Sequence, residues 1–231
     1  MPELLAGFTR RLHGEWLPSF CDAPHRNYTS AGFRDESIHK LTEFDAHWFM
    51  QAVDARLVSQ SDGFFLAPRS KAKEQIFWQG AKAQSPRPIT LWLEPVITIG
   101  ALARLSQQFG WPAANLGAQS KTWEFDLVCY GASSDVELIC CEVKKHSKEI
   151  AQLLHYMHLH CALAPHAEEP SDPKERNAYR KVQGIRVSWP RYFWALGPGG
   201  EGQVFRVQRE QETQKFSLIP IAEDSLMYAE A

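Results

Sequence analysis

The stretch from residue 121 to residue 156 reads KTWEFDLVCYGASSDVELICCEVKKHSKEIAQLLHY. Apolar side chains recur at every second position from Trp123 to Cys129, and this period of two predicts a strand. Residues 131–135 are rich in the small and polar side chains of tight turns. A second strand is predicted after the turn, and a helix after that strand. The stretch therefore predicts a β-hairpin followed by a helix, and we expect the rest of the chain to fold around it.

The second predicted strand ends in two charged residues. Val136, Leu138 and Cys140 share one of its faces with Glu142 and Lys144, which come last. Charged side chains are rarely buried unless they are paired or bind a ligand. A buried sheet face that ends in a carboxylate and an ammonium group is therefore a candidate functional site.

The composition of the 231 residues is that of an ordinary globular chain, with 44% hydrophobic and 23% charged residues. The net charge of −2 excludes a protein that is basic overall, so a polyanionic partner would have to bind a local positive patch. The five cysteines are odd in number and form no C-x-x-C pair, which argues against a disulfide framework or a zinc ribbon. We expect buried free thiols, no membrane partner and a cytoplasmic location, because no apolar stretch resembles a signal or membrane segment.

Three helices are predicted from hydrophobic periodicity and from residues that suit helix ends. Apolar residues recur at three- and four-residue steps over 41–58, where Thr42 suits the start of a helix. A second helix is predicted over 94–110, since proline suits its first turn and glycine its C-terminal cap. A third is predicted over 147–161, with an apolar stripe along one face.

The remaining strands are predicted from short β-like runs, which are GFFLAP at 63–68, QIFWQG at 75–80, ITLWL at 89–93, RYFWALG at 191–197, QVFRVQR at 203–209 and KFSLIPI at 215–221. Residues 1–40 predict a short helix at most, and residues 164–176 predict a loop. The predicted fold class is α/β, with a mixed central β-sheet flanked by helices over residues 89–231. Residues 1–88 are predicted to be a helical and β extension packed on that core.

Asp126, Glu142 and Lys144 support a chemical hypothesis. Two carboxylates from neighbouring strands are hard oxygen ligands of the kind that Mg²⁺ binds, and the backbone carbonyl of Val143 offers a third oxygen. Lys144 projects from the same face as Glu142 and could orient or deprotonate a water molecule, or neutralise charge on a phosphodiester. Glu94, at the start of the preceding predicted helix, is either a helix cap or a further metal ligand.

Two short motifs then carry a resemblance to a known family. Phe-Asp at 125–126 followed by Glu-Val-Lys at 142–144 resembles the PD-(D/E)XK nuclease superfamily, whose usual proline before the aspartate is here a phenylalanine. Gln152 and Tyr156 are similar to the Q-x-x-x-Y motif of the RecB and lambda-exonuclease branch. The resemblance covers about residues 89–200.

The resemblance implies a restriction-endonuclease-like core and Mg²⁺-dependent hydrolysis of phosphodiester bonds, with Mn²⁺ as a substitute and DNA as the expected nucleic acid. It implies that the metal is held by Asp126, Glu142, Val143 and Glu94. It implies that the catalytic residues are Asp126, Glu142, Lys144, Glu94, Gln152 and Tyr156. Phosphate contacts would come from Lys145 and from two basic segments, through Arg69, Lys71, Lys73, Arg176, Arg180 and Lys181.

Three alternatives stay open from the sequence. The chain could have the nuclease fold without activity and act as a nucleic-acid-binding or protein-interaction module. A cluster on one helix could bind Zn²⁺ through His155, His158, His160 and Cys161, with His166 beyond them. The N-terminal region could be the functional part of an interaction or regulatory module. A homodimer or a partner protein is compatible with each of these hypotheses.

Overall fold

The computed structural model describes residues 3–26, 28–132, 134–165, 168–210 and 212–229. Within these ranges the α-helices are α1 (Glu3–Arg11), α2 (Leu17–Asp22), α3 (Glu43–Asp54), α4 (Leu93–Gln107), α5 (Ser147–Cys161) and α6 (Pro173–Ser188), and a π-helical segment (Leu12–Trp16) joins α1 to α2. The strands are β1 (Ser59–Ser61), β2 (Phe64–Leu66), β3 (Glu74–Gln75), β4 (Phe77–Gln79), β5 (Ile89–Leu91), β6 (Leu116–Ala118), β7 (Leu127–Tyr130), β8 (Glu137–Val143), β9 (Tyr192–Leu196), β10 (Gly202–Arg209) and β11 (Phe216–Ile221).

Six strands form a mixed sheet in the order β11-β10-β9-β8-β7-β6. Neighbouring strands are antiparallel except for β8 and β9, which run parallel with Glu142 opposite Ala195. Parallel neighbours need a long crossover, and α5 and α6 lie within it. The prediction of an α/β protein with a mixed central sheet is confirmed.

Helices cover both faces of this sheet. Cys141 and Trp194 belong to a cluster of buried apolar side chains that includes residues of α1 to α4. Cys140 and Phe193, the preceding residue on each strand, belong to a second cluster with residues of α5 and α6. Because successive strand residues point to opposite faces, Glu142 lies on the face of Cys140, beneath α5 and α6.

The first strand of the central hairpin is shorter than predicted. β7 begins at Leu127, so the first four residues of the predicted strand lie outside it. The Ser120 hydroxyl accepts hydrogen bonds from the backbone N–H groups of Glu124 and Phe125, each at 3.1 Å. Trp123 has a positive φ of 63° and its side chain is exposed. A side chain that satisfies two backbone donors competes with the strand ladder, which explains the early turn.

The three predicted helices are confirmed as α3, α4 and α5. The hydroxyl of Thr42 accepts a hydrogen bond from the backbone N–H of Asp45 at 3.1 Å and caps α3 as expected. α4 begins at Leu93, one residue earlier than predicted, and α5 covers the predicted residues. The six β-like runs are confirmed as short strands, but β1–β3 and β4–β5 form small separate sheets.

The largest difference from the predicted fold is α6, whose first turn lies in the segment predicted to be a loop. The carboxylate of Asp172 accepts hydrogen bonds from the backbone N–H groups of Lys174 and Glu175, at 3.0 and 2.9 Å. Pro173 occupies the first helical position, which its fixed φ suits. These are the usual signals of a helix start, and the prediction of a loop there is wrong.

The N-terminal extension is more helical than predicted, since helical structure is continuous from Glu3 to Asp22. Its aromatic side chains explain why: Trp16 contacts Phe8 and Phe49 edge-to-face at 5.2 and 5.1 Å between ring centroids. These rings belong to the same buried cluster as the sheet residues under α4. In the described part of the chain, no helix is long and apolar enough to cross a membrane.

Candidate active site

Asp126 and Glu142 come together where β7 begins and β8 ends. The backbone N–H of Asp126 donates to the carbonyl of Cys141 at 3.0 Å, and its Oδ2 accepts from the N–H of Val143 at 2.8 Å. These two bonds hold Asp126 beside Glu142, which lies between Cys141 and Val143 in the chain. The hairpin therefore forms the pair of neighbouring carboxylates that the sequence predicts.

The environment of Asp126 strongly disfavours its ionised form. Burial, together with repulsion from the Glu142 carboxylate, raises the pKa of Asp126 to about 8, although Lys181, the Val143 N–H and Lys144 act in the opposite direction. Two carboxylates this close cannot both ionise at little cost without a cation between or beside them. The pair is thus a site whose proton occupancy changes near neutral pH.

Glu142 is held by two ammonium groups. Its side chain is 2% exposed, its Oε1 lies 2.5 Å from Lys144 Nζ, and its Oε2 lies 2.8 Å from Lys181 Nζ. Lys181 also donates to the backbone carbonyl of Glu124. Burial alone would lower the pKa of Lys144, but the carboxylates of Glu142, Asp126 and Glu94 more than offset this and raise it. Lys144 is therefore a protonated hydrogen-bond donor at neutral pH.

Lys181 is not predicted from the sequence to belong to this site. It is predicted, with the second basic segment, to contact phosphate, whereas the structure buries it against Glu142 and 5.5 Å from the ring centroid of Phe125. A signal is present, because Lys181 lies three residues after Ala178 and four before Ile185, on the buried face of α6. A lysine on the apolar face of an amphipathic helix requires a buried partner.

An open cleft of about 270 Å³ lies in front of Lys144, and its lining includes Glu94, Gln152 and Asn177. Glu94 is the second residue of α4, and its Oε2 accepts a hydrogen bond from the indole N–H of Trp92 at 3.2 Å. Its carboxylate contributes to the raised pKa of Lys144. The structure thus brings Glu94 to the site as a neighbour of the lysine.

The two residues of the Q-x-x-x-Y motif are placed differently. Gln152 lines the cleft beside Lys144. Tyr156 is half-buried and packs against the apolar cluster beneath α5 and α6, and the cleft lining does not include it. Of the two motif residues, Gln152 therefore lines the cleft and Tyr156 does not.

Arg69, predicted to contact phosphate, lies at the other end of the hairpin. Its guanidinium forms an ion pair with Asp135, donates to the Ser134 carbonyl at 2.9 Å and lies 4.0 Å from the ring centroid of Tyr130. The seven residues of β8, about 20 Å of strand, separate this end of the hairpin from Glu142. Arg69 therefore stabilises the hairpin turn and is not beside the carboxylates.

The second basic segment is divided between the surface and the interior of the protein. Arg180 is exposed, and its Nε lies 2.7 Å from the carboxylate of Glu169. Arg176 is half-buried on the same helix. Because Lys181 points inward to Glu142, it is not available to contact phosphate at the surface.

Three lysines predicted to contact phosphate are exposed: Lys71, Lys73 and Lys145. Lys145 lines a depression that also includes Glu94, so it lies beside the cleft. For Lys71 and Lys73 the contact stays a prediction.

The carboxylates of the candidate site can be compared with what a hard divalent cation such as Mg²⁺ requires. Among the described residues, no group of three or more histidine, cysteine, aspartate or glutamate side chains is arranged to hold a metal ion. Glu94 therefore does not complete a three-carboxylate site with Asp126 and Glu142. Its carboxylate instead accepts from the Trp92 indole and interacts with Lys144. Two buried carboxylates that repel each other still fit one Mg²⁺, which commonly binds through one or two carboxylates and keeps several waters.

The predicted zinc-binding cluster on α5 is not formed by the described residues. His158 packs edge-to-face on Phe205, and His160 Nε2 lies 3.1 Å from a carboxylate oxygen of Glu175. Cys161 is buried in the apolar cluster. His166 lies outside the described residues.

Comparison with protein-family models, curated proteins and solved structures finds no match to this chain.

Proposed function

We propose that the protein is a metal-dependent nuclease that hydrolyses phosphodiester bonds of nucleic acid, with DNA as the expected substrate. The observation that carries this proposal is the buried pair of mutually repelling carboxylates, Asp126, which accepts from the Val143 N–H, and Glu142, with Lys144 bound to Glu142 at the edge of an open cleft. The mixed sheet with helices on both faces agrees with the restriction-endonuclease-like core that the resemblance implies.

Asp126, Glu142 and the carbonyl of Val143 would hold one Mg²⁺ or Mn²⁺. When bound, such an ion activates a water molecule and stabilises negative charge on the phosphate. Asp126 must first lose its proton, and Glu142 must give up one of its two ammonium partners, Lys144 or Lys181. Metal binding is therefore expected to release a proton and to change the ion pairing of Glu142.

The chain's own residues would orient and polarise the substrate. Because Lys144 is protonated, it acts as a donor to the attacking water or to a phosphate oxygen and does not act as a base. The oxygen of water would form the new bond to phosphorus as the bond between phosphorus and the leaving sugar oxygen breaks. The proton that the water loses would pass to solvent, and the leaving oxygen would take up a proton from the nearby Lys144 ammonium, which solvent then reprotonates. Gln152, which also lines the cleft, would hold the phosphate or the water.

A substrate panel with Mg²⁺ or Mn²⁺ tests the proposal on linear, circular and single-stranded DNA and on RNA. We expect cleavage that chelator abolishes, and a loss of at least about 100-fold in Glu142→Gln and in Lys144→Ala, because each removes charge at the reacting phosphate. Asp135→Asn is the matched control, since this exposed carboxylate lies at the far end of the same hairpin. Undiminished cleavage by both site variants, with the folded state verified by circular dichroism, would contradict the proposal.

A second candidate function is binding of nucleic acid without cleavage. With Asp126 protonated and Glu142 paired to both Lys144 and Lys181, the negative charge of the two buried carboxylates is already neutralised without a metal ion. Lys144 at the edge of the cleft would then donate a charge-assisted hydrogen bond to a phosphate group. Metal titration by calorimetry separates the two: tight, stoichiometric Mg²⁺ or Mn²⁺ binding that Asp126→Asn removes supports the nuclease, and its absence supports the binding module.

A further inference from the structure

A groove leads away from the candidate active site. Its first part has a volume of about 410 Å³, shares Glu94 with the cleft and is lined by Trp78, Trp92 and Lys145 among others. A second depression of about 510 Å³ continues it, since Lys145 and His146 line both parts. The groove is therefore continuous from Glu94 to the start of α5.

The groove is positively charged in a chain whose net charge is −2. Lys40 and Lys145 line both of its parts, and Lys148 lines the second. Within the described ranges, none of these three ammonium groups is in an ion pair, whereas Lys121, Lys144 and Lys181 are. Unpaired lysines along one concave surface are the charge pattern that a polyanion requires.

The N-terminus of α5 opens into the same groove. The helix begins at Ser147, and the side chain of its N-cap residue, His146, makes no capping hydrogen bond. Its free backbone N–H groups and its dipole favour an anion there. The Ser147 hydroxyl, which lines the second part of the groove, donates to the carboxylate of Glu201.

An exposed aromatic ring forms part of the groove wall. The Trp78 side chain is 57% exposed, and its ring packs edge-to-face on Trp92 with 5.4 Å between centroids. The indole N–H of Trp92 in turn donates to Glu94, which fixes both rings relative to the cleft. An exposed, held indole beside lysines is the combination by which proteins stack the bases of an unpaired strand while binding its phosphates.

We infer that this groove binds a single-stranded segment of nucleic acid. Its phosphates contact Lys40, Lys145 and Lys148, and one of its bases stacks on Trp78. The inference rests on the proposed function in so far as the bound strand continues into the cleft at Glu94. A duplex keeps its bases stacked on one another, so it cannot place one on Trp78 without unpairing.

The test is fluorescence anisotropy of labelled oligothymidylate, oligouridylate and duplex DNA of about 16 nucleotides, the upper site size of a single-strand-binding fold. Measurements on the full chain in chelator prevent cleavage. We expect tighter binding of the single strands than of the duplex, whichever sugar is preferred. Trp78→Ala should weaken binding by about five- to 150-fold, and Trp78→Phe by less, because it keeps a stacking ring.

The lysines are tested by the salt dependence of binding. Lys145→Ala with Lys148→Ala should reduce the slope of log affinity against log salt by about 0.7 for each phosphate that the protein no longer neutralises. The matched controls are Trp123→Ala, which removes a 63% exposed tryptophan outside the groove, and Arg10→Ala with Lys215→Ala, which removes two positive charges that do not line it. Both controls should bind as the native chain does.

Any of three results would refute the inference that the groove binds a single strand: unchanged affinity in Trp78→Ala, a preference for duplex, or weaker binding confined to the control variants. Binding through Trp78 with no cleavage in Mg²⁺ or Mn²⁺ would leave the groove standing and refute the nuclease. Conversely, a Trp78→Ala variant could bind as tightly as the native chain and still show cleavage that depends on Glu142. That result would refute single-strand binding by the groove and leave the nuclease proposal intact.

Discussion

Replacing Asp126 by asparagine should stabilise the protein in a pH-dependent way. The pKa of Asp126 is about 8 in the folded chain, against 3.8 for an ordinary aspartate. Between these values the folded state binds more protons than the unfolded state, so this residue lowers stability as the pH rises from about 4 to about 8. At about 1.4 kcal/mol per pH unit, the penalty at pH 7 is on the order of 4 kcal/mol. An asparagine accepts the same hydrogen bond from Val143 without this penalty.

Urea unfolding of the native chain and of Asp126→Asn, measured from pH 4 to pH 9, provides the assay. The two free energies of unfolding should be similar near pH 4, diverge in favour of the variant up to about pH 8, and then run parallel. Asp135→Asn, at the exposed end of the hairpin, should show no such divergence. A gap that is independent of pH, or that favours the native chain at pH 8, would refute the reasoning.

The same proton links stability to metal binding. Because Mg²⁺ must displace the proton of Asp126, its affinity should rise about tenfold per pH unit below pH 8 and then level off. Calorimetry in two buffers of different ionisation enthalpy measures the proton released. Equal heats in the two buffers at pH 7 would show that Asp126 is already ionised.

Two further substitutions test the packing of α6. Lys181→Met should lower the free energy of unfolding by about 3–5 kcal/mol, because it leaves Glu142 with an unpaired buried oxygen. Arg180→Met, at the neighbouring exposed position paired to Glu169, should lower it by about 1 kcal/mol or less. Chemical denaturation measures both, and equal effects would contradict the buried ion pair. Arg186→Met should lower the free energy of unfolding by about 2 kcal/mol, because this guanidinium donates to backbone carbonyls at the C-terminal end of α5. A shift in the urea midpoint below experimental error would contradict that capping role.

The features that sequence predicts correctly are those with short-range signals. The cap at Thr42, the span of α5 and the alternating pattern of the central hairpin depend on residues within one or two turns of each other. The two carboxylates are also brought together by short-range structure, because Asp126 immediately precedes β7, and β7 pairs with β8, which carries Glu142. In these places local chemistry and tertiary packing favour the same structure, so the pattern predicts it.

The features that sequence misses depend on interactions between distant residues. Lys181 binds Glu142 only because α6 packs across the end of β8, and no local pattern specifies that partner. The start of α6 is a different case, since Asp172 and Pro173 are ordinary helix-start signals that lie within an acidic, proline-rich segment typical of a loop. The early turn before β7 depends on one hydroxyl, that of Ser120, which outweighs four residues of strand pattern.

One buried cluster contains both Phe8 and Leu226, together with the β8 residues Cys141 and Val143 on either side of Glu142. The strand that carries Glu142 packs on α4, α4 packs on α3, and α3 contacts α1, so helices from the first quarter of the chain support the candidate site through α4. A fragment cut to residues 89–231 would keep α4 but would expose to water the face of α4 that packs on α3, and bare apolar faces of this kind lead to self-association. The geometry of the candidate site therefore depends on the whole polypeptide, and a substitution that disturbs it can lie as far from Glu142 in sequence as Phe8.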